Sequence, residues 1–476
     1  MVRTKTQHDG AINLKIHLWD FYQEDVRTPS YTLRGPKGNI FCLQFSSTNK
    51  FLYAAGTCET VFKFDISYLG SAMDSIRAIT CHPTQDEVFM SASEDGTVRY
   101  FDERQRRRGM SVQDIIQTEN EMTGVQYHPT IEHLFATSDG AGRVMLRDFR
   151  MAFGPLVNRT DGGVVQRYNT KITKATCSHL CNPDASSFTF DREGTKLAVT
   201  FLNYLPAIYS LSDPNPIAVL SGQNLPDGSP IPPKQRTYKN SCTMKHGSFG
   251  GPAQDVDDMY AGGSDDFRGY VWRIPSVSQL TAVRNEISAS EWETREMGSS
   301  VAFSEGRKES KFVPYEISTP LCRLTGHKSI VNTALFHPHF LHVVTAGVEK
   351  NLILHSPTPS SPCTQNLPPS PANVRELRNE DDDEDRANYL SALLGVQPLT
   401  VGDVDEAAER QTLSLFDHII REEGDVDVFV QRRWRTPDSS ESEHSSGSEE
   451  DDEEPDRDSD LDNLFSAVRP HISFLT

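Results

Sequence analysis

The sequence predicts an all-β protein, a closed ring of small antiparallel sheets, and two observations lead to this fold class. First, residues 88–104 and 134–150 share an order of features: an apolar pair, small residues, a turn, an alternating strand and a final Asp-x-Arg. Second, a His-Pro pair begins 20 residues before each final Asp, and the two copies lie 46 residues apart. A repeat of about this length with four short strands is typical of a WD40 β-propeller.

Similar units along residues 1–361 predict seven blades, of which the first is truncated. In the last unit, 28 residues separate His327 from His355, whereas 11 separate His8 from Trp19 in the first. The shorter interval cannot hold the two missing strands. The last unit has no outer strand after it, and we expect residues 2–7 to supply one by closing the ring.

Several stretches inside the predicted propeller do not fit the repeat. Residues 152–184, 222–239 and 276–320 are long, polar or proline-rich, and the sequence predicts that they are loop insertions. In the sixth unit, residues 241–245 are the predicted inner strand.

Residues 362–476 have a different composition from the rest of the chain. From residue 371 onward there are 29 acidic and 10 basic residues. Such a composition buries too little apolar surface to offset the entropy of ordering, and predicts a disordered, acidic, Ser-rich tail. Apolar residues at helical spacing in 387–396 and 411–422 indicate two short helices that either fold on a partner or form transiently. Ser440, Ser446 and Ser448 each precede an acidic residue by three positions and are candidate phosphorylation sites.

Composition also limits the partners and the compartment. The first 370 residues hold 38 acidic and 37 basic residues, and this balance argues against direct nucleic-acid binding. The first ten residues do not read as a signal peptide, and no apolar stretch has the length of a membrane span. The eight cysteines have no paired spacing. We therefore expect an intracellular protein, nuclear or cytoplasmic, with reduced cysteines and no membrane contact.

Motifs for catalysis do not emerge from the sequence. It has no nucleophile elbow, phosphate-binding loop or dinucleotide fingerprint, which predicts a protein that is not an enzyme and needs no cofactor. Cys177, His179 and Cys181 alternate, so a strand would present all three on one side, where they could face a metal. The Cys-x-x-Cys chelate and its distant partner pair are absent. The sequence favours an ordinary connecting segment and no metal site.

The two Asp-x-Arg endings are the candidate binding residues. Asp102 with Arg104, and Asp148 with Arg150, each close a predicted third strand, so adjacent blades should place both guanidiniums at one circular face. An Arg offers a planar fork of donors to a partner's carbonyl and carboxylate groups. The alternatives are a solvated surface pair, or an ion pair within the blade between the Arg and an acidic neighbour. Repetition in register favours binding.

These endings resemble the docking box of WD-repeat proteins that bind the damaged-DNA-binding adaptor of cullin-4 ubiquitin ligases. The second copy departs from the box because Arg147 stands where an aromatic residue is expected. Residues 240–245, 263–267 and 347–350 are similar to the family of cullin-4-associated factor 5, and the resemblance spans about residues 12–357.

The resemblance implies a non-catalytic substrate receptor of a cullin-4 RING ubiquitin ligase. It implies that Asp102, Arg104, Asp148 and Arg150 contact the adaptor and that another surface holds proteins for ubiquitination, whose identity the sequence does not give. The alternative is a WD40 interaction scaffold in a nuclear or chromatin-associated complex, without a ligase role, whose acidic tail contacts basic partners.

Overall fold

The computed structural model describes residues 2–429 apart from 6–7, 10, 13–14, 21–27, 37, 58–60, 66–68, 72–75, 106–110, 178, 234, 253–256, 295–299, 359–368, 378–381, 394–403, 425 and 427. The strands, numbered in chain order, are β1 (Val2–Lys5), β2 (His8–Asp9), β3 (Ala11–Ile12), β4 (Lys15–Leu18), β5 (Tyr31–Arg34), β6 (Ile40–Phe45), β7 (Phe51–Gly56), β8 (Phe62–Asp65), β9 (Leu69–Ser71), β10 (Ile76–Cys81), β11 (Val88–Ser93), β12 (Thr97–Asp102), β13 (Ile115–Gln117), β14 (Met122–Tyr127), β15 (Leu134–Asp139), β16 (Val144–Asp148), β17 (Val164–Tyr168), β18 (Ile172–Lys174), β19 (Ala185–Phe190), β20 (Lys196–Phe201), β21 (Ala207–Ser210), β22 (Pro216–Leu220), β23 (Ser248–Gly250), β24 (Met259–Gly263), β25 (Gly269–Arg273), β26 (Asn285–Ile287), β27 (Val301–Phe303), β28 (Lys311–Val313), β29 (Tyr315–Ile317), β30 (Cys322–Leu324), β31 (Val331–Phe336), β32 (Val343–Gly347) and β33 (Leu352–His355). The helices are α1 (Phe149–Ala152), α2 (Val277–Val283), α3 (Ala289–Thr294), α4 (Asp382–Leu393) and α5 (Val404–Glu423), with short 3-10 turns at Val112–Asp114, Leu156–Asn158 and Asp161–Gly163.

Most of the described strands form small antiparallel sheets built from neighbours in the chain. Three sheets are four-stranded meanders: β6 to β9, β10 to β13 and β14 to β17. β19 to β22 form a fourth meander, to which β29 adds in parallel, and β23, β24, β25 and β30 form another sheet. The sheets β1-β4-β5 and β31-β32-β33 have three described strands each. These small antiparallel sheets confirm the predicted β-propeller fold class.

The first strands of neighbouring sheets run in the same direction. The backbone N–H of Tyr127, at the end of β14, donates to Thr80 Oγ1, near the end of β10, at 3.0 Å. His246 and Thr333 form a parallel bridge between the β23 and β31 regions. Each sheet therefore has a start face, where its first strand begins, and an end face, where its first strand ends. The third strand of a meander also ends at the end face.

Apolar clusters between sheets form the core. Trp272, Tyr209 and Phe135 are fully buried. Tyr260, Tyr270 and Trp272 belong to one cluster with Ile208 and Ile217 of the preceding sheet. Clusters such as this one draw on adjacent sheets, so a change in one of these sheets affects the packing of its neighbour.

Two features of the N-terminal and sixth units differ from the sequence predictions. Val2–Lys5 pairs with Lys15–Leu18, and not with the last sheet, so the predicted closure by the chain ends is wrong. A nearby partner costs less loop-closure entropy than one at the far end of the chain. In the sixth unit the strand that pairs with β24 is Ser248–Gly250, whereas the predicted strand 241–245 precedes it.

Two of the predicted loop insertions combine into an additional sheet of order β18-β27-β28-β26. In it, Ile172 lies opposite Phe303, and both side chains are fully buried. Ile287 and Trp292 pack with Ala302 on the same sheet. These insertions therefore have a core of their own joined to the propeller. The third predicted insertion, 222–239, contains no strand in its described part.

The segment after the last sheet also differs from the predicted disorder. Helices α4 and α5 lie near the two predicted helical islands but are longer; α5 packs on the propeller, and α4 adds Tyr389 to the same cluster. Residues from 430 onward, including Ser440, Ser446 and Ser448, lie outside the described residues. Among the described helices, none has the length and apolar character to cross a membrane.

Candidate functional site

The first Asp-x-Arg motif forms a closed local unit at the end face. Asp102 ends β12, and its carboxylate accepts the backbone N–H of Arg104 at 3.1 Å. The same carboxylate accepts the Arg104 guanidinium through Nε at 2.8 Å and Nη2 at 2.9 Å. The Asp102 side chain is 8% exposed, whereas that of Arg104 is 53% exposed. The buried carboxylate thus fixes an exposed guanidinium.

The second motif repeats this geometry. Asp148 ends β16 and caps α1, because its carboxylate accepts the Arg150 backbone N–H at 2.9 Å. Arg150 Nε and Nη2 donate to the two carboxylate oxygens at 3.0 and 2.6 Å. Asp148 is 8% exposed and Arg150 67% exposed. Since both aspartates end third strands, both guanidiniums lie at the end face, as the sequence predicts.

The ion pairs shift the pKa of each partner in the expected direction. The hydrogen bond from Arg104 is the main reason that the Asp102 pKa lies below its usual value, and Arg150 acts likewise on Asp148. The Asp102 and Asp148 carboxylates in turn raise the pKa values of Arg104 and Arg150. All four groups are charged at neutral pH. A guanidinium has five N–H donors, so each Arg keeps three for a partner after two are given to its Asp.

An aromatic cluster joins the two motifs. Phe149, between Asp148 and Arg150, packs edge-on against Tyr100, two residues before Asp102, with ring centroids 4.8 Å apart. Phe153 contacts both rings, at 5.7 Å from Tyr100 and 5.1 Å from Phe149. The motifs are therefore parts of one surface. Arginines beside aromatic rings are the residue types enriched at energetic centres of protein interfaces.

The departure from the docking box at Arg147 has a structural explanation. Arg147 is 3% exposed, and its Nε donates to Thr137 Oγ1, on the neighbouring strand, at 2.9 Å, while Nη1 donates to the Gly162 carbonyl at 2.7 Å. In the last sheet, His355 occupies the equivalent register position and hydrogen-bonds Thr345 at 2.8 Å. The side chain at this position thus hydrogen-bonds the hydroxyl on the second strand in both sheets, and Arg147 does so as the donor.

The first motif has no such donor. Phe101 stands at the equivalent position and stacks on Phe89 with centroids 4.5 Å apart. The matching hydroxyl, Ser91 Oγ, is buried and has no hydrogen-bond partner among the described residues.

Burial lowers the pKa of Arg147, in the second motif, to about 10. Arg147 therefore supports the second motif from inside the sheet and is not available to a partner.

The structure brings Cys177, His179 and Cys181 together. Their ligating atoms lie within 4.8 Å of one another, the one such group found among the described residues. The Cys177 sulfur, however, is 3.2 Å from Nδ1 and 3.6 Å from Nε2 of His179. It lies almost equally close to both ring nitrogens, whereas a shared metal would bind through one nitrogen and leave the other remote. The geometry shows a contact between the Cys177 thiol and the His179 imidazole ring.

Sequence reasoning missed the contact surface under α5. Phe416, Ile419 and Ile420 pack into a cluster with Cys242, Phe267 and Ile330 of the propeller. The spacing i, i+3, i+4 within 411–422 is the signal that marks the helix, but it does not name the partner.

Comparison with known proteins gives the following matches. The family described as WD domain, G-beta repeat, matches residues 27–65 and 66–102. The chain carries WD40 repeats. Two curated proteins named DDB1- and CUL4-associated factor 5, from Homo sapiens and Mus musculus, are each 25% identical over 366 residues. The match covers 75% of this chain and 32% of each of those proteins, so it spans about a third of their length.

Proposed function

We propose that this WD40 protein is a non-catalytic substrate receptor of a cullin-4 ubiquitin ligase and that it binds DDB1, the damaged-DNA-binding adaptor, through Arg104 and Arg150. The proposal is carried by one observation: two guanidiniums held identically by buried aspartates on one aromatic-linked surface. The similarity to proteins named for association with DDB1 and CUL4 supports the same partner.

The geometry of the two Asp-x-Arg motifs suits a surface that binds the adaptor. Each Arg is fixed before any partner arrives, so less side-chain entropy is lost on binding. Each pair is close to neutral overall, since Asp and Arg charges offset one another. The surface therefore recognises hydrogen-bond acceptors in a defined arrangement and not a general field of negative charge. A receptor of this kind performs no chemistry, and it raises the local concentration of client lysines near the ligase. It would act in the nucleus, the cytoplasm or both.

The test is capture of purified DDB1 by the full chain and by the double variant Arg104→Glu, Arg150→Glu. We expect affinity to fall at least roughly tenfold, because arginines central to an interface carry much of its binding energy. Arg104→Ala with Arg150→Ala should give a smaller loss in the same direction. Urea denaturation of each variant separates lost binding from lost fold.

Arg143→Glu is the matched control. Arg143 is 42% exposed, and its Nε donates to a buried aspartate, Asp139, at 2.7 Å, in the blade whose third strand leads into Arg150. It lies in the loop between β15 and β16, at the start face. Reversal of the Arg143 charge should leave DDB1 capture unchanged. Equal capture by the double variant and the native chain would refute adaptor binding through these residues.

Client recruitment is tested by affinity capture from cells with and without inhibition of the ligase. Proteins that accumulate on the native chain under inhibition, and not on the Arg104→Glu, Arg150→Glu variant, are the expected clients. If the captured partners are instead basic and are lost when the chain is cut after residue 429, the scaffold alternative replaces the ligase role.

A further inference from the structure

The acidic segment that follows the propeller returns to the start face. Arg375 Nε donates to the Lys328 carbonyl at 2.9 Å, just before the first strand of the last sheet. Ser370 lies close enough to Gly326 that a Cβ on the glycine would meet its Cβ at 2.8 Å. These contacts bring the chain to the segment just before β31, at the start face, before α4 begins.

Helix α5 inserts an apolar stripe into this face. Phe416, Ile419 and Ile420 are 2%, 8% and 6% exposed, at the i, i+3, i+4 spacing of one helical face. They pack on three propeller side chains that we call the helix seat: Cys242, Phe267 and Ile330. Cys242 and Ile330 each precede the first strand of a sheet, and Phe267 lies between the second and third strands of its sheet. All three positions belong to the start face.

The backbone of the helix seat is held in an unusual conformation at Phe267. Phe267 has a φ of 69°, a left-handed value that an aromatic residue adopts only when its surroundings impose it. The guanidinium carbons of Arg236 and Arg375 lie 4.6 and 5.0 Å from the centre of its ring. Backbone strain of this kind concentrates at functional sites.

A charged contact accompanies the apolar one. Arg375 donates to both carboxylate oxygens of Asp417, at 2.6 and 2.7 Å, and Asp417 is 4% exposed. Asp417 directly follows the anchor Phe416. On the other side of α5, Asn388 of α4 bonds Ser414 at 3.0 Å, and Tyr389 packs on His418 at 4.9 Å. Helix α4 therefore supports α5.

We propose that the helix seat is a binding site for an amphipathic helix with an acidic residue beside its aromatic anchor, and that α5 occupies it as an internal ligand. The role of the helix seat as the client-binding surface of a receptor rests on the proposed function. Its role as a helix-binding site does not depend on that function. Helix-in-groove recognition uses this i, i+3, i+4 set of anchors.

Two features make the internal ligand exchangeable. Three buried side chains and the partly buried Leu415 anchor α5, fewer than the apolar residues that join neighbouring sheets. The Arg375–Asp417 pair favours one register of the helix more than it adds strength, because desolvation of a buried charge offsets much of the attraction. The tether supplies a high effective concentration, so an external helix competes when it binds through further contacts as well.

The helix seat lies at the start face and the Asp-x-Arg surface lies at the end face, so the two are at opposite ends of the strands. Occupation of one does not block the other. A receptor could therefore remain on its adaptor while α5 gives way to a client, and α5 would keep the empty receptor from exposing apolar side chains.

The experiment uses the full chain, native and with Phe416→Asp and Ile420→Asp, which removes α5 from the seat and leaves the seat intact. The probe is a fluorescein-labelled synthetic peptide with the sequence of residues 404–424, followed by fluorescence anisotropy. We expect the release variant to bind the peptide at least roughly tenfold more tightly than the native chain, where α5 competes. Adding Ile330→Asp to the release variant should abolish binding, and Leu390→Asp, at a 48% exposed position of α4, should have no effect on either chain.

A second readout does not depend on the peptide. Cys242 is 6% exposed beneath α5, so N-ethylmaleimide should label it at least tenfold faster in the release variant than in the native chain. A peptide with Asp417→Arg should bind the release variant about tenfold more weakly, and one with Asp417→Asn nearly as well as the native sequence. Equal peptide affinity for the two chains, or rapid Cys242 labelling in the native chain, would overturn the proposal. A release variant that elutes as a dimer would place a second copy in the seat and overturn it as well.

DDB1 capture on the same variants separates the two proposals. The release variant should capture DDB1 as the native chain does. Peptide binding without adaptor capture would retain the helix-binding site and reject the ligase role, whereas the reverse result would reject the site alone.

Discussion

The buried ion pair beneath the helix seat makes a prediction about stability. Lys245 and Asp265 are each 1% exposed, and Lys245 Nζ donates to Asp265 Oδ1 at 2.5 Å. Lys245 Nζ also donates to the Thr243 carbonyl at 3.0 Å and to its Oγ1 at 2.6 Å. Asp265 Oδ2 accepts the backbone N–H groups of Ser241 at 2.5 Å and Cys242 at 3.1 Å. The pair therefore holds the loop that carries Cys242 into the seat.

Lys245→Met removes the cation and leaves the Asp265 charge buried. Loss of one partner of a buried pair costs about 3–5 kcal/mol of unfolding free energy. Replacing both partners, with Lys245→Met and Asp265→Asn, removes the uncompensated charge and should recover at least about 1.5 kcal/mol relative to Lys245→Met alone. The single variant should also bind the 404–424 peptide more weakly when combined with the release substitutions, because the Cys242 loop loses its anchor.

The assay is urea denaturation followed by tryptophan fluorescence, with unfolding free energies compared at constant m value. Arg273→Met is the control, since the Arg273–Asp258 pair has its nitrogen and oxygen 3.5 Å apart and Arg273 is 75% exposed. Its effect should stay within about 0.5 kcal/mol. A Lys245→Met chain within about 1 kcal/mol of the native one, or a double variant no more stable than the single, would refute the reasoning.

Three further predictions follow from particular side chains. Phe101→Trp supplies the missing donor to Ser91 Oγ and should add about 1 kcal/mol of stability, a gain that Ser91→Ala removes in urea titrations. Burial lowers the pKa of His355 to about 4 from 6.5, so the neutral form is favoured in the folded chain; that stability is complete above pH 6.5 and should fall by about 3 kcal/mol as pH drops to 4, and His355→Gln should flatten this part of the pH profile. The purified chain should carry far less than one equivalent of zinc by mass spectrometry, and a tightly held equivalent that Cys181→Ser releases would contradict the thiol–imidazole interpretation of the Cys177 cluster.

The parts of the fold that the sequence predicts are those with local signals. The strands of the β10 to β12 and β14 to β16 hairpins follow from alternation, and Gly96, at a φ of 79°, marks a turn that few other residues tolerate. The end-face position of Arg104 and Arg150 follows directly from these strands. Their bonds to Asp102 and Asp148 do not, because a motif three residues long is equally compatible with an Arg that points away.

The parts that the sequence does not predict depend on distant pairings. Ile172 pairs with Phe303 across more than a hundred residues, and neither stretch contains enough alternation to show that it is a strand. The docking of α5 was hidden by composition, since its few apolar residues lie in an acidic segment whose average predicts disorder. In both cases a small number of buried side chains determines the structure, and their partners lie elsewhere in the chain.

The arrangement of charges separates the two candidate surfaces by chemistry as well as by position. On the end face, Asp102 and Asp148 belong to the same blades as Arg104 and Arg150, so each positive charge is balanced by a carboxylate before a partner arrives. Each Arg can then select a partner by the geometry of its hydrogen-bond acceptors. On the start face, Arg375 is neutralised by Asp417, which belongs to the exchangeable helix. Release of α5 would therefore leave Arg375 unpaired with Asp417 beside an apolar seat, and a ligand helix that carries a carboxylate at the Asp417 position would pair with it in the register that α5 uses. For this reason we propose a lasting adaptor contact at the end face and an exchangeable helix contact at the start face.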